Sequence, residues 1–127
     1  MMGQTAGLEK SVKCTAALAS AFLIAKFGGD DDTLSQATAS TEDLVGVFQH
    51  VTTAAGEEVR VMLSGISRVA LGGTVTRGGL ITSDANGKGV AIGAVAGTNY
   101  NAIGRALASG VSGDIIPVLL MPSRAQG

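Results

Sequence analysis

The sequence predicts an all-β fold, a compact bent β ribbon arranged as a barrel-like sandwich with at most one or two short helices. Two observations support this prediction. The apolar residues are mostly Ala, Val, Leu and Ile, with no Trp, one Tyr and three Phe, and 19 glycines are spread among them. Branched residues between glycine-rich turns are typical of thin strands joined by tight turns. A chain of 127 residues is long enough to bury one independent core.

The N-terminal part of the chain alternates between short apolar runs and turns. Residues 1–9 are mostly small and polar, with Leu8 as the apolar anchor, which is typical of a flexible tail. The predicted elements that follow are an alternating run at 11–15, a strand at 22–27, a turn at 28–32 and a buried strand within 43–51.

The clearest strand pattern lies in the centre of the chain. Val59 to Leu63 and Ile66 to Leu71 are apolar runs, and Asn86-Gly87 favours a hairpin turn because both residues tolerate positive φ. Small residues mark the predicted bends at Ser64-Gly65, Gly72-Gly73 and Gly78-Gly79.

Two further strands are predicted near the C-terminus, at 102–107 and 115–121, with a turn at 109–114 between them. Pro117 has no N–H group, so we expect the last strand to lie at a sheet edge or to place Pro117 on an unpaired side.

The two halves of the chain resemble each other in sequence. A shift of 57 residues places Leu23-Ile24 on Leu80-Ile81, and after one inserted residue Val45-Gly46 falls on Ile103-Gly104. A unit present twice predicts a pseudo-twofold domain in which each half covers the apolar face of the other. The predicted organisation is a flexible arm at 1–10 and a single domain at 11–127, with repeat halves at about 12–48 and 69–107.

Charge and hydrophobicity exclude several classes of partner. The chain has 9 basic and 10 acidic residues and a pI near 5.7, without a basic cluster for nucleic acid. The apolar run between Lys10 and Ala25 is flanked by Glu9 and Lys26, which argues against a signal peptide. It is also shorter than the roughly 20 residues that span a bilayer. We therefore expect no membrane partner, and the single Cys14 fits synthesis in a reducing cytoplasm.

Motifs for nucleotides and cofactors are absent from the sequence. Gly87-Lys88-Gly89 resembles part of a phosphate-binding loop, but Thr82 replaces the first glycine and Gly89 replaces the required Ser or Thr. We interpret it as the tip of a turn, and we expect no cofactor and no small-molecule ligand.

Two other groups are candidates for chemistry. Asp30, Asp31 and Asp32 could contribute oxygen ligands to calcium, but the other ligands of a shaped loop are missing, so a solvated turn is favoured. Cys14 and His50 are the only candidates for a thiolate and imidazole pair, and no third group orients them. The sequence therefore predicts no metal site and no enzyme.

The chain resembles the small capsid-decoration, or cement, proteins of tailed bacteriophages from about Val12 onward. The resemblance rests on the run from Val59 to Ala91, on Ile103 to Leu107 and on Gly113 to Leu120. It is most specific between Leu63 and Gly87 and in the closing Gly-Asp-Ile-Ile-Pro-Val-Leu-Leu. One departure is the bulky stretch Phe22 to Phe27, which stands where a glycine bend is expected.

The resemblance implies a structural virion protein that binds the outer surface of a phage head and stabilises the shell. It implies a homotrimer whose partner is the major capsid protein. We expect the N-terminal arm to make this contact through Gln4, Thr5 and Leu8, with the Leu8 side chain entering a pocket. The alternatives are a small ligand-binding β module, or another structural phage part such as a tail or adaptor protein.

Overall fold

The computed structural model describes residues 8–18, 20–28, 33–92 and 99–126. These residues form ten strands and no helix, which confirms the prediction of an all-β fold. In chain order the strands are β1 (Glu9–Cys14), β2 (Ile24–Phe27), β3 (Thr33–Gln36), β4 (Leu44–Phe48), β5 (Glu58–Met62), β6 (Gly65–Ala70), β7 (Leu80–Ser83), β8 (Gly89–Ala91), β9 (Asn99–Ala106) and β10 (Ile115–Gln126).

The two halves of the chain use the same order of strands. The first five strands form a closed barrel that runs β1-β5-β4-β2-β3 and closes through a parallel pair between β3 and β1. The last five form a sheet with the order β6-β10-β9-β7-β8. A single parallel bridge between Leu71 and Gly89 repeats the closing contact of the barrel. The shift of 57 residues in the sequence therefore corresponds to one five-stranded unit in the fold.

The predicted bend at Ser64-Gly65 is the crossing point between these units. β5 ends at Met62 inside the barrel, and β6 begins at Gly65 in the second sheet. Gly65 has a φ of 91°, a conformation that glycine adopts without the steric penalty of a side chain. The two central apolar runs are thus strands, as predicted, but they belong to different sheets and do not pair with each other.

Two clusters of buried residues form the core. The first fills the barrel and consists of Val12, Cys14, Leu18, Leu23, Ala25, Leu34, Phe48, Val59 and Val61. The second takes five residues from the barrel, Ile24, Ala37, Leu44, Val47 and Met62, and nine from the second half, Val69, Leu71, Val75, Ile81, Ile103, Ala106, Ile116, Val118 and Leu120. One shared core therefore joins the halves.

The turn at Asn86-Gly87 connects β7 and β8 as an antiparallel hairpin, as predicted. Only Gly87 has positive φ, at 73°, and the Asp84 carboxylate accepts hydrogen bonds from the backbone N–H groups of Asn86 and Lys88 at 2.8 and 3.0 Å. The turn also docks on the barrel, because Ile24 N donates to Gly87 O at 2.7 Å.

Phe22 adopts the left-handed conformation that glycine usually supplies, with a φ of 63°. Its N–H donates to Phe48 O at 2.8 Å, and its carbonyl accepts from Ala70 N at 3.1 Å. The shift of 57 residues places it on Gly79, beside Gly78 with its φ of 88°. The first unit therefore keeps the bend without its glycine, and the Phe22 ring packs against the shared core.

The last strand, β10, lies between β6 and β9, so the expectation of a sheet edge is wrong. The ladder to β9 begins at Val118, paired with Ala106, and Pro117 stands one residue before it. The Pro117 carbonyl accepts from Leu107 N at 3.0 Å. Because Pro117 stands at the end of this ladder, its missing N–H removes a terminal bond and leaves the rest intact.

Candidate functional site

Leu8 is the only described member of the predicted contact set, because Gln4 and Thr5 lie outside the described residues. Its N–H donates to Ser64 Oγ at 3.0 Å, and its carbonyl accepts from Leu63 N at 2.7 Å. Its side chain is 62% exposed. The main chain of Leu8 is therefore fixed at the crossing between the halves while its apolar side chain faces solvent.

One end of the barrel opens into a recess of about 190 Å³. All five barrel strands, or residues directly beside them, contribute to its lining, which consists of Lys10, Val12, Phe27, Thr33, Leu34, Val45 and Leu63. Leu63 is also the residue that bonds the Leu8 carbonyl. We call this recess the barrel mouth, and Leu8 stands beside it.

A second recess, of about 300 Å³, lies between the halves of the molecule. It is lined by Phe27, Asp43, Leu44, Asn101, Pro122 and Ser123, and we call it the junction recess. Phe27 lines both recesses and is 62% exposed. Phe27 therefore supplies exposed apolar surface to both recesses.

The second sheet has an apolar face that points away from the shared core. Its residues are brought together by the register of four strands: Ile66 pairs with Leu119, Leu119 with Arg105, and Arg105 with Leu80. We call this the outer face; its members are Ile66, Arg68, Ala70, Leu80, Arg105, Leu107, Ile115, Pro117 and Leu119.

Two arginines supply the charge of the outer face. The Arg105 guanidinium donates to Gly78 O at 2.7 Å, and Arg68 is exposed. The described residues form two ion pairs, Lys26 with Glu42 and Arg60 with Glu9, so neither arginine of the outer face meets a carboxylate there.

A carboxylate fastens the loop between β3 and β4. Thr38 N and Ala39 N donate to Glu42 Oε1 at 2.6 and 2.9 Å, and the Thr38 hydroxyl and the Lys26 ammonium donate to Oε2. Burial raises the pKa of Glu42, but the hydrogen bonds from Lys26, Thr38 and Ala39 outweigh it and lower that pKa to about 2. The carboxylate is therefore ionised throughout the physiological range.

Asn101 of β9 holds the same loop against the second half. Its N–H donates to Ser40 O at 2.7 Å, and its side-chain amide donates to the carbonyls of Thr41 and Glu42 at 3.2 and 2.6 Å. Because Asn101 also lines the junction recess, the position of that recess depends on this contact.

Cys14 and His50 each bond to groups other than one another. The Cys14 thiol is buried in the barrel, 3.3 Å from Thr52 Oγ1 and 3.6 Å from Ala54 O. His50 Nε2 accepts from Arg60 N at 3.3 Å, and its Nδ1 lies 3.2 Å from Val51 O. Their positions are explained by the hydrogen bonds that satisfy them within the fold.

The structure also places the glycine motif that resembles part of a phosphate-binding loop. Gly87 docks on the barrel, and a Cβ added there would lie 2.6 Å from Gln36 Cγ. Asp30, Asp31 and Asp32 lie outside the described residues, and the residues that the structure does describe contain no group of three or more potential metal ligands. Across the described ranges there is also no helix long and apolar enough to cross a membrane.

Sequence reasoning missed the outer face and the two recesses. A signal for the outer face was present, because residues 115–121 are apolar without alternation, a pattern of strands covered on both sides. The junction recess had no such signal, since Phe27, Asp43 and Pro122 are far apart in the sequence.

Comparison with known proteins identifies the family. A phage cement protein family model matches residues 14–120. The crystal structure of the head fiber gp8.5 N base of bacteriophage phi29 is similar in fold, with a TM-score of 0.62, 18% sequence identity, and coverage of 94% of this chain and 98% of that chain. No curated protein sequence matches the chain. The chain therefore belongs to the phage cement protein family, and its role is structural, as a capsid protein that decorates and stabilises the phage head.

Proposed function

We propose that the protein binds the outer surface of the phage head as a homotrimer, with the major capsid protein as its partner and without catalysis. We further propose that it is made in the host cytoplasm before it joins the capsid. Family membership supports the capsid role, and the exposed apolar side chains support a protein that works through contacts.

The proposed contact rests on the fixed main chain and exposed side chain of Leu8. Its main chain is held by Leu63 and Ser64, yet its side chain is 62% exposed beside the barrel mouth. An apolar side chain on a fixed backbone loses little conformational entropy when a partner covers it. Leu8 is thus suited to anchor the contact.

Residues 4 and 5 extend this contact in the proposal. The N–H and carbonyl of Leu8 are already bonded within the fold. Main-chain pairing with an exposed strand of the capsid would therefore use Gln4 and Thr5, while Leu8 contributes only its side chain. In strand addition the main-chain bonds provide affinity, and pockets for side chains provide specificity.

The test is binding to phage heads from which the native protein has been stripped. We expect removal of residues 2–7, and separately Leu8→Ser, to weaken binding at least tenfold, about 1.4 kcal/mol. Val51→Ser is the matched control, because Val51 is 54% exposed and does not line the barrel mouth. Oligomer mass and thermal midpoint should be unchanged in all three variants.

Full binding by both N-terminal variants would place the capsid contact elsewhere on the fold. Failure of the unaltered protein to bind stripped heads in electron microscopy would instead favour a tail or adaptor role over outer-surface decoration.

A further inference from the structure

The outer face takes residues from four adjacent strands and is apolar apart from Arg68 and Arg105. Ile66, Leu119 and Leu80 stand in one row of the sheet with Arg105 between the leucines. Ile115, on the outward side at the start of β10, is 52% exposed. A sheet with one face in solvent normally alternates apolar and polar residues, so this face has the composition of a covered surface.

The composition of β10 is typical of a strand that is covered by another subunit in a permanent complex. The residues of β10 that point inward, Ile116, Val118 and Leu120, are buried in the shared core. From Ile115 to Leu119 those that point outward are also apolar. Apolar contacts of this kind are typical of obligate interfaces between subunits, whereas interfaces between proteins that associate transiently are more polar.

The charges of the outer face favour a head-to-tail contact. Arg68 and Arg105 are its charged members, and no carboxylate pairs with either among the described residues. A twofold contact would press this positive face against itself, which is unfavourable. A head-to-tail contact brings two different surfaces together and can close into a ring.

The junction recess is the surface that complements the outer face. It exposes the Phe27 ring beside Leu44 and Pro122, and it contains the exposed carboxylate Asp43. Neither ion pair within the described ranges involves Asp43. The recess therefore offers apolar area and an available negative charge to a face that offers apolar area and positive charge.

We propose that the outer face of one copy packs head to tail against the junction recess of a neighbouring copy of this chain. In this arrangement Leu119 lies at the centre of the contact, and Arg105 faces Asp43 of the neighbour. The inference rests on the homotrimer in the proposed function and assigns the surfaces that form it.

The test is the molar mass in solution, measured by light scattering and sedimentation at micromolar concentration. We expect Leu119→Glu to give monomers. Arg105→Glu and Asp43→Arg should each weaken self-association at least tenfold, and the double variant should recover it, because the two charges are exchanged across the contact.

Val111→Glu is the control, since Val111 is 53% exposed and lies outside both surfaces. Circular dichroism checks that each variant is folded; the charge variants alter exposed side chains, so they test the contact even where Leu119→Glu does not fold.

Binding to stripped phage heads, measured in parallel, separates this inference from the proposed function. A folded Leu119→Glu variant that remains a trimer but no longer binds heads would show that the outer face contacts the capsid, which overturns the inference and leaves decoration intact. If the double variant, Arg105→Glu with Asp43→Arg, did not recover self-association, the pairing of the two surfaces would be overturned. Monomers of the unaltered protein would overturn both this inference and the homotrimer, while their binding to heads would still report on decoration.

Discussion

Gly46 and Gly104 occupy equivalent positions in the two units, and both are required by a close approach of neighbouring strands. A Cβ on Gly46 would overlap the Met62 carbonyl oxygen of β5. A Cβ on Gly104 would overlap the Leu119 carbonyl oxygen of β10. The obstacle in each case is backbone within a paired strand, which cannot move without breaking the sheet.

We therefore expect Gly46→Ala and Gly104→Ala each to destabilise the protein by at least about 1–3 kcal/mol, which is the typical cost of overpacking a core. Gly73→Ala is the control, because a Cβ there would come no closer than 3.4 Å to Val90 Cγ1. Urea unfolding followed by circular dichroism measures the difference. If the two variants were as stable as Gly73→Ala, the close approach would not exist in solution.

Glu42 makes a contribution to stability that depends on pH. The hydrogen bonds from Lys26, Thr38 and Ala39 outweigh burial and lower its pKa from 4.5 to about 2 in the folded protein. A carboxylate with a lowered folded pKa stabilises the fold above its unfolded pKa. That contribution is lost as the pH falls from about 4.5 toward 2.

We expect Glu42→Gln to cost about 1–3 kcal/mol at pH 7, because several donors lose a charged acceptor. The cost should stay constant above about pH 5 and shrink between pH 4.5 and 2 as the wild-type carboxylate is protonated. Glu58→Gln, at an exposed position, is the control. A cost that did not change across this range would show that Glu42 does not fasten the loop through its charge.

At the scale of residues, the sequence repeat marked Gly46 and Gly104 as equivalent positions. It gave no indication that the Glu42 carboxylate fastens a loop. The Val45-Gly46 and Ile103-Gly104 pairs were visible because they repeat. The contacts of Glu42 were not, since Lys26 lies 16 residues away and Asn101 lies 59 residues away. Side chains that meet only after folding leave no local pattern.

At the scale of elements, the sequence identified the last strand, but the sheet edge was the wrong one of the two positions expected for it. Pro117 suggested either an edge strand or an unpaired side for Pro117, because proline lacks a donor for the ladder. The structure places β10 between β6 and β9, with Pro117 at the end of one ladder. The apolar run 115–121 was the better guide, since a central strand with a covered outer face needs apolar residues on both sides.

The burial of β10 can be measured with Leu120→Ala. Leu120 is 4% exposed within the shared core, so we expect a loss of roughly 2–5 kcal/mol. Val51→Ala, at a side chain that is 54% exposed, should change the free energy of unfolding by less than about 0.5 kcal/mol. An effect of Leu120→Ala as small as that of the control would contradict the position of β10.

At the scale of the whole molecule, the repeat predicted that each half would cover the other, and the shared core has that character. The repeat did not reveal that the first unit closes into a barrel with a core of its own. Closure depends on the parallel pair Cys14–Leu34 between β1 and β3, which joins strands distant in the sequence. Pairing of this kind cannot be inferred from local periodicity.

The shared core also predicts that the two halves unfold together. Ile24, Val47 and Met62 of the barrel are fully buried against the second half. Burial of each such side chain contributes about 1.5–3 kcal/mol. Their sum is comparable with the roughly 5–15 kcal/mol that stabilises a typical domain. Neither half should therefore be stable once the other has unfolded.

We expect a single cooperative transition in urea, and amide hydrogens of β4 and β9 that exchange with the same free energy of opening. Ile24→Ala, at a barrel residue that faces the second half, should lower the exchange protection of both strands equally. A fragment of residues 8–63 would expose this apolar surface, so we expect it to aggregate or remain unfolded. Two separate transitions, or a soluble and cooperatively folded fragment, would show that the barrel is an independent domain and that the shared core only docks the halves together.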